Sequence, residues 1–275
     1  RTVATLEDKK RMLTGDVMIA SSFVSYIGAF NQSFRKKLWQ DTWIPDLEKK
    51  KIPFSPEYDP LFMLANDADF ATWKNEGLAS DRISLENGAM LTQCTRWPLM
   101  IDPQLQGIKW IQNRQHKNGL NTIQLNQKKW IKVVIDALGN GSTILVENAP
   151  EEIDATLDPV LSRAIVRRGY EKFIKMGSEE ISYDLNFKLI LQTKLTNPHY
   201  KPEIAAQCTL INFIVTEEGL EDQLLAAVVN KEKPELEAKR SALVRSINEY
   251  MIQLSALEDD LLRALSNATG DILKD

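Results

Sequence analysis

Apolar and polar positions change rhythm along the chain, and each rhythm predicts a different kind of structure. Over residues 1–31 the pattern is helical: Val3, Leu6 and Leu13 lie on a heptad-like stripe interrupted by Lys10, and Val17 to Phe30 is apolar with many small residues. Thr14-Gly15-Asp16 predicts a break into two helices, the Gly closing one and the Asp capping the next. Residues 33–95 are mixed. Phe34, Leu38, Trp39, Trp43 and Leu47 share a helical face and predict core, followed by a loop at Pro53, Pro56 and Pro60. From Arg96, strand-length apolar runs alternate with helical stretches, which predicts a parallel sheet with crossover helices. Strands are expected at 97–102, 121–125, 142–147, 187–193 and 208–214. Helices are expected at 106–117, 127–138, 156–165, 200–206 and 217–229, with an inserted hairpin over 172–183 turning at Gly177-Ser178.

The last rhythm begins at Leu236. Leu236, Leu243, Ile247, Tyr250, Leu254, Leu257, Leu261, Ala264 and Ala268 follow alternating steps of three and four, apart from Arg240 in the first gap. Lys239, Arg245, Glu249 and Glu258 fall outside this line, so the pattern reads as a coiled-coil seam. Pro234 suits the first turn of such a helix. At ~1.5 Å per residue, roughly 35 residues reach about 50 Å, too far to pack wholly on one small domain. The helix is expected to project toward a partner helix, a surface helix folded back on the sheet being the alternative.

Composition is ordinary for a globular chain, with 43% hydrophobic and 26% charged residues. The net charge of -4 argues against nucleic acid as the main partner. No apolar run approaches the ~18 residues of a membrane span, and no secretory signal is evident. Because Arg1 stands inside a helical pattern, a longer parent polypeptide is expected. Cys94, Cys208, His116 and His199 fit no metal spacing, so neither a metal site nor a histidine-dependent catalytic triad is expected.

The chemistry-bearing stretch is Arg96 to Trp110, which has the layout of a phosphate-binding loop without its phosphate-binding residues. A working loop reads G-x-x-x-x-G-K-[ST] after a buried strand. Aligned on Gly107, Asp102 replaces the first glycine and Pro103 follows it, while Ile108 replaces the lysine and Lys109 the magnesium-binding hydroxyl. The missing lysine removes roughly 4 kcal/mol of attraction at ~4 Å and an effective dielectric near 20. An Asp102 facing the site would add repulsion. A chance glycine in an ordinary strand-turn-helix is the alternative on this stretch alone.

Other positions agree with the loss. The strand Thr143-Ile144-Leu145-Val146 ends in Glu147-Asn148; Glu147 retains a carboxylate able to hold metal, but Asn148 cannot take a proton from water. Asn197, before Pro198, stands where a polar sensor would meet a γ-phosphate, and is equally a turn former. No arginine occurs from Tyr170 through Lys239, so the region expected to carry an arginine finger has none. Arg163, Arg167 and Arg168 read as a solvated helix end before Gly169 or as contacts to an adjoining module. No catalytic residue is assigned.

The stretches Trp97-Pro98-Leu99-Met100-Ile101-Asp102-Pro103-Gln104, Leu145-Val146-Glu147-Asn148, Thr193-Lys194-Leu195-Thr196-Asn197-Pro198-His199-Tyr200-Lys201-Pro202-Glu203 and Thr216-Glu217-Glu218-Gly219-Leu220-Glu221-Asp222-Gln223-Leu224-Leu225 resemble the dynein heavy chain in its fifth AAA+ module. The last stretch and Asn197-Pro198-His199-Tyr200 are most similar to ciliary outer-arm chains. The resemblance implies an α/β fold of P-loop NTPase (AAA+) type: a five-stranded parallel sheet flanked by helices, with N-terminal helices and a C-terminal coiled-coil helix. It implies a ring of six modules in which the fifth is structural, with no cofactor here and ATP and magnesium held by other modules. Residues 1–31 would be the stalk base and the end of the preceding module, 32–229 the degenerate large subdomain, and 230–275 the first buttress arm. The implied partners are neighbouring modules and the stalk coiled coil, with microtubules reached only through the distal stalk and neither nucleic acid nor membrane involved. The implied location is the axoneme, with cytoplasm as the alternative. An active ATPase module and a free-standing scaffold are the rival readings.

Overall fold

The runs Trp97–Ile101, Thr143–Val146 and Lys188–Thr193 carry apolar side chains on successive positions, so a sheet containing them needs cover on both faces. The computed structural model describes residues 2–56, 58–116, 119–177 and 179–267. In chain order, α1 (Thr2–Tyr26) leads into α2 (Gln32–Lys36), a wider π-helical stretch Lys37–Trp43 and α3 (Ile44–Lys49). Then come α4 (Pro60–Leu64), α5 (Asp67–Asn75) and α6 (Arg82–Gln93). The sheet region comprises β1 (Trp97–Ile101), α7 (Gln106–Gln115), β2 (Leu120–Ile123), α8 (Trp130–Asn140) and β3 (Thr143–Val146). It continues through α9 (Asp158–Leu161), β4 (Ile165–Arg168), β5 (Glu171–Met176), β6 (Glu179–Ser182), β7 (Lys188–Thr193), α10 (Pro202–Gln207) and β8 (Cys208–Asn212). The chain closes with α11 (Glu217–Glu232) and α12 (Pro234–Asn267).

The five-stranded sheet has the order β2-β3-β7-β1-β8, with every pairing parallel. Alternation along each strand divides the interior in two. Leu99, Ile144, Val146, Leu189 and Leu191 meet Trp130, Val134 and Leu138 of α8 together with Ile174 and Ile181 of the small antiparallel sheet. Met100, Leu145, Ile190 and Ile211 meet Trp110 and Ile111 of α7, Trp73 of α5, and Phe23 and Ile27 of α1. Trp39 and Leu47 are buried in this second core; Leu38 and Trp43 pack partly buried against it, while Phe34 is exposed beside Phe30.

Several sequence expectations are corrected. Helix α1 runs through Thr14-Gly15-Asp16 without a break. The Gly15 N–H donates to the Pro53 carbonyl at 3.2 Å, and buried Asp16 accepts from the Ser55 N–H at 2.8 Å and the Ser55 hydroxyl at 2.7 Å. These residues therefore seat the Pro-rich loop on the helix. A Cβ at Gly15 would lie 2.5 Å from the Pro53 oxygen. Gly15→Ala is expected to cost about 1–3 kcal/mol by overpacking, read as a lower denaturant midpoint; an unchanged midpoint would mean that the loop yields freely.

Over 156–165 the expected helix is only the turn Ala155–Leu157 and the short α9. Arg163 takes a left-handed φ of 51°, and Ile165 starts β4, which makes the hairpin a three-stranded sheet β4-β5-β6. Arg167 and Arg168 therefore lie on a strand, and Arg168 pairs with Glu180 at 2.7 Å. Gly177 turns at φ 62°; Ser178, the other half of the expected turn, lies outside the described residues, as do Lys117 and Ala268. Helix α8 begins at Trp130 and α10 at Pro202, each slightly later than expected.

Candidate functional site

The sheet delivers three chain turns to one edge: the loop after β1, the turn after β3 and the end of β7. Leaving β1, the Asp102 N–H donates to the Thr193 carbonyl at 2.9 Å, keeping the first of these turns against β7. Residues 103–105 then reverse direction, with Leu105 at a left-handed φ of 60°, and α7 starts at Gln106. The first N–H groups of a helix have no partner inside it and attract negative charge. Here they meet an anion from the same chain. Asp102 Oδ1 accepts from the Gln106 N–H at 2.9 Å, and Oδ2 accepts from the Ile108 N–H at 3.0 Å. Gly107 lies between them, where a Cβ would be 3.2 Å from Asp102 Oδ2 and 3.1 Å from Phe213 Cδ1.

Asp102 is fully buried. Burial pushes its carboxyl pKa up, while the backbone N–H groups of Ile108, Gln106, Gly107 and Leu105 oppose that rise. Pro103 is half-buried; Ile108 is buried in the second core, and Lys109 is exposed on α7. The two residues at the lysine and hydroxyl positions thus serve packing and solvent.

At the turn after β3, Glu147 is half-buried and its Oε1 accepts from Gln112 Nε2 at 3.5 Å. Asn148 is exposed at φ 52°, a conformation Asn tolerates well. Its N–H donates to Gln192 Oε1 at 2.9 Å, while Gln192 Nε2 donates to the Asp102 carbonyl at 3.0 Å. The Gln192 backbone carbonyl also accepts from the Ala149 N–H at 2.7 Å. Gln192 was not singled out in the sequence, although a polar amide inside the run Leu189-Ile190-Leu191-Gln192-Thr193 is the available signal. Asn197 is exposed in the loop beyond β7, while the buried polar side chains at that strand end are Gln192 and Thr193. The strand stops four residues before the Asn-Pro turn.

A cavity of about 540 Å³ opens beside the turn after β3. Its described lining includes Glu147, Glu152 and Asp154 but no lysine or arginine, a charge arrangement that disfavours a polyphosphate. Among the described residues, no three histidine, cysteine or carboxylate side chains form a metal-binding group. Burial pushes the Cys94 thiol up to about 11 and the Cys208 thiol up to about 12, so both remain protonated at neutral pH.

A second constellation joins the end of α1 to the sheet. Arg35, 1% exposed, donates to the Gly28 carbonyl and Asn87 Oδ1 through Nη2 at 2.8 Å each. Its Nε donates to the Phe30 carbonyl at 2.8 Å, and its Nη1 meets Glu86 Oε2 at 3.2 Å. Glu86 also accepts from Arg82 Nε at 2.7 Å, and Arg82 makes a two-pronged contact with Asp59 at 2.7 Å. Asn87 Nδ2 donates to the Asn212 carbonyl at 2.6 Å, and the Asn212 N–H donates to the Gly28 carbonyl at 2.9 Å. Thus α2, the turn that joins it to α1, α6 and β8 close one buried polar joint.

Helix α12 lies against α5 and α11. Asn248, 6% exposed, donates through Nδ2 to Asn75 Oδ1 at 2.9 Å. Leu236, Leu243, Ile247, Tyr250, Leu254, Leu257 and Leu261 are 54–69% exposed, so the apolar stripe faces away from that contact.

A parallel sheet of this strand order, with its strand-turn-helix at β1 and α7, defines the class as a P-loop NTPase module of AAA+ type. A family profile described as "ATP-binding dynein motor region" matches residues 71–275, and another, "Microtubule-binding stalk of dynein motor", matches residues 1–47. The chain belongs to the dynein heavy-chain family. It is 53% identical over 272 residues to the dynein beta chain, flagellar outer arm, of Chlamydomonas reinhardtii, covering 99% of this chain. It is 50% identical over 275 residues to the ciliary dynein beta chain of Tripneustes gratilla, covering 99% of this chain, and 49% identical over 273 residues to dynein axonemal heavy chain 9 of Homo sapiens, covering 98%. The chain spans 6% of the length of each of these relatives.

Proposed function

We propose that this chain is the fifth AAA+ module of an axonemal dynein heavy chain, a nucleotide-silent block that relays ring movements to the microtubule-binding stalk through a buttress helix. ATP hydrolysis by other modules of the parent motor supplies the movement. The names of the relatives support an axonemal location. Neighbouring AAA+ modules and the stalk coiled coil are the partners, with microtubules engaged only through the distal stalk.

The single observation that carries the relay is the exposed stripe of α12, from Leu236 to Leu261. The Arg35 joint supports it by tying the end of the stalk-matched segment, residues 1–47, to the sheet edge. The absent lysine at Ile108, the occupied helix start and the acidic cavity support nucleotide silence. The outward apolar stripe of α12 supports the buttress role, because it leaves a seam for a second helix.

Replacing Ile247, Leu254 and Leu261 by glutamine in a full motor tests the relay. Microtubule affinity is expected to become independent of nucleotide state while ATP hydrolysis without microtubules persists, as read by microtubule co-sedimentation with and without nucleotide. Unchanged coupling would sink the proposal.

A further inference from the structure

We infer that Asp102 and Gln192 form an internal lock, with one carboxylate standing in place of a phosphate and one amide standing in place of the bridge that bound nucleotide makes between the loop after β1 and the turn after β3. The inference rests on the nucleotide-silent reading and names the contacts that enforce it. In an active module of this class, phosphate groups take the backbone N–H groups at the helix start, while metal and nucleotide connect that loop to the acidic strand end. In this chain both connections are made by side chains. Asp102 takes the Gln106 and Ile108 N–H groups, and Gln192 links the Asp102 carbonyl to the Asn148 N–H.

Three features make the lock independent of ligand. The carboxylate is tethered within a few residues of its donors, so it occupies them at an effective concentration that free phosphate does not match. Gly107 is packed between Asp102 and Phe213, where a Cβ would lie 3.2 Å from Asp102 Oδ2 and 3.1 Å from Phe213 Cδ1, so the carboxylate is held close against its own helix start. An entering phosphate would also leave the displaced carboxylate buried beside it, a like-charge contact without a counterion among the described neighbours. Gln192 is fully buried with both ends of its amide engaged, so it fixes the distance between the two turns and acts as a positioning residue.

Residue-resolved hydrogen exchange on the full heavy chain tests the lock. In the unmodified motor, the Gln106 and Ile108 amides are expected to exchange slowly and at the same rate with no nucleotide, Mg-ADP or Mg-ATP. Asp102→Gly is expected to speed both amides by about tenfold and Asp102→Asn, which keeps one acceptor oxygen, at least one of them, while β3 amides stay unchanged. Gln192→Leu is expected to release the Asn148 amide by a similar factor. Unchanged exchange in the Asp102 variants, or slowing of the unmodified amides by Mg-ATP, would overturn the lock. If the Asp102 variants do not fold, Gln192→Leu and the nucleotide comparison on the unmodified motor still decide. A failed relay with an intact lock would instead show as unchanged coupling in the α12 variants with these amides still protected.

Discussion

Arg35→Met is expected to destabilise the fold by about 3–5 kcal/mol, the cost of breaking a buried ion pair by removing one partner. The methionine fills much of the arginine stem but supplies no donor. The carbonyls of Gly28 and Phe30 and the Asn87 side-chain oxygen each lose a hydrogen bond, and buried Glu86 keeps only its contact with Arg82. Burial lowers the Arg35 pKa and the charge of Glu86 opposes that fall. Arg35→Lys keeps the charge but not the planar fork, and is expected to recover only part of the loss. Urea unfolding midpoints at constant slope measure both variants. A loss below about 1 kcal/mol for the methionine variant would show that water replaces the guanidinium without strain.

Trp110→Ala is expected to cost about 3–5 kcal/mol, the usual range for emptying a buried aromatic site. Trp110 is fully buried one turn beyond Gly107, packed edge-on to Trp73 at 6.0 Å and beside Phe213 at 6.5 Å. Its indole N–H donates to Glu76 Oε2 at 3.0 Å, which also holds Arg114 at 3.0 Å. Trp110→Phe keeps most of the volume and loses the indole donor, so a smaller cost of about 1–3 kcal/mol is expected. The two midpoints separate packing from hydrogen bonding. Equal losses would mean that the neighbouring side chains close the cavity completely. This tryptophan anchors α7, the helix whose lysine position is occupied by Ile108.

The sheet was legible because its inner strands are apolar on consecutive positions, a pattern that survives without knowledge of neighbours. Gly15-Asp16 was misread because the same residues that end helices also permit close approach and accept backbone N–H groups. The Pro53 and Ser55 groups that decide between these roles come from a distant loop. The stretch 156–165 was misread because a helix of one turn and a four-residue strand are each too short to show a period. At the loop, alignment on Gly107 revealed a carboxylate where glycine was expected, but not that it turns back onto its own helix. Arg35, standing before Lys36 and Lys37, is indistinguishable from a solvated basic run until Glu86 and Asn87 are brought to it from more than fifty residues away.

The amide pair between Asn248 and Asn75 has a thermodynamic consequence for α12. Asn248 is the helix's only buried side chain among the described residues, and a neutral hydrogen bond contributes about 0.5–1.5 kcal/mol net, about one to two and a half times the thermal energy of about 0.6 kcal/mol. Such a bond sets the register of α12 on α5, while packing against α5 and α11 holds the helix beside them. Covering the exposed part of just two leucines of the outer stripe contributes about 2–4 kcal/mol, more than that bond. A partner on the stripe would therefore add more binding energy than the amide pair, which fixes the register of α12 on α5.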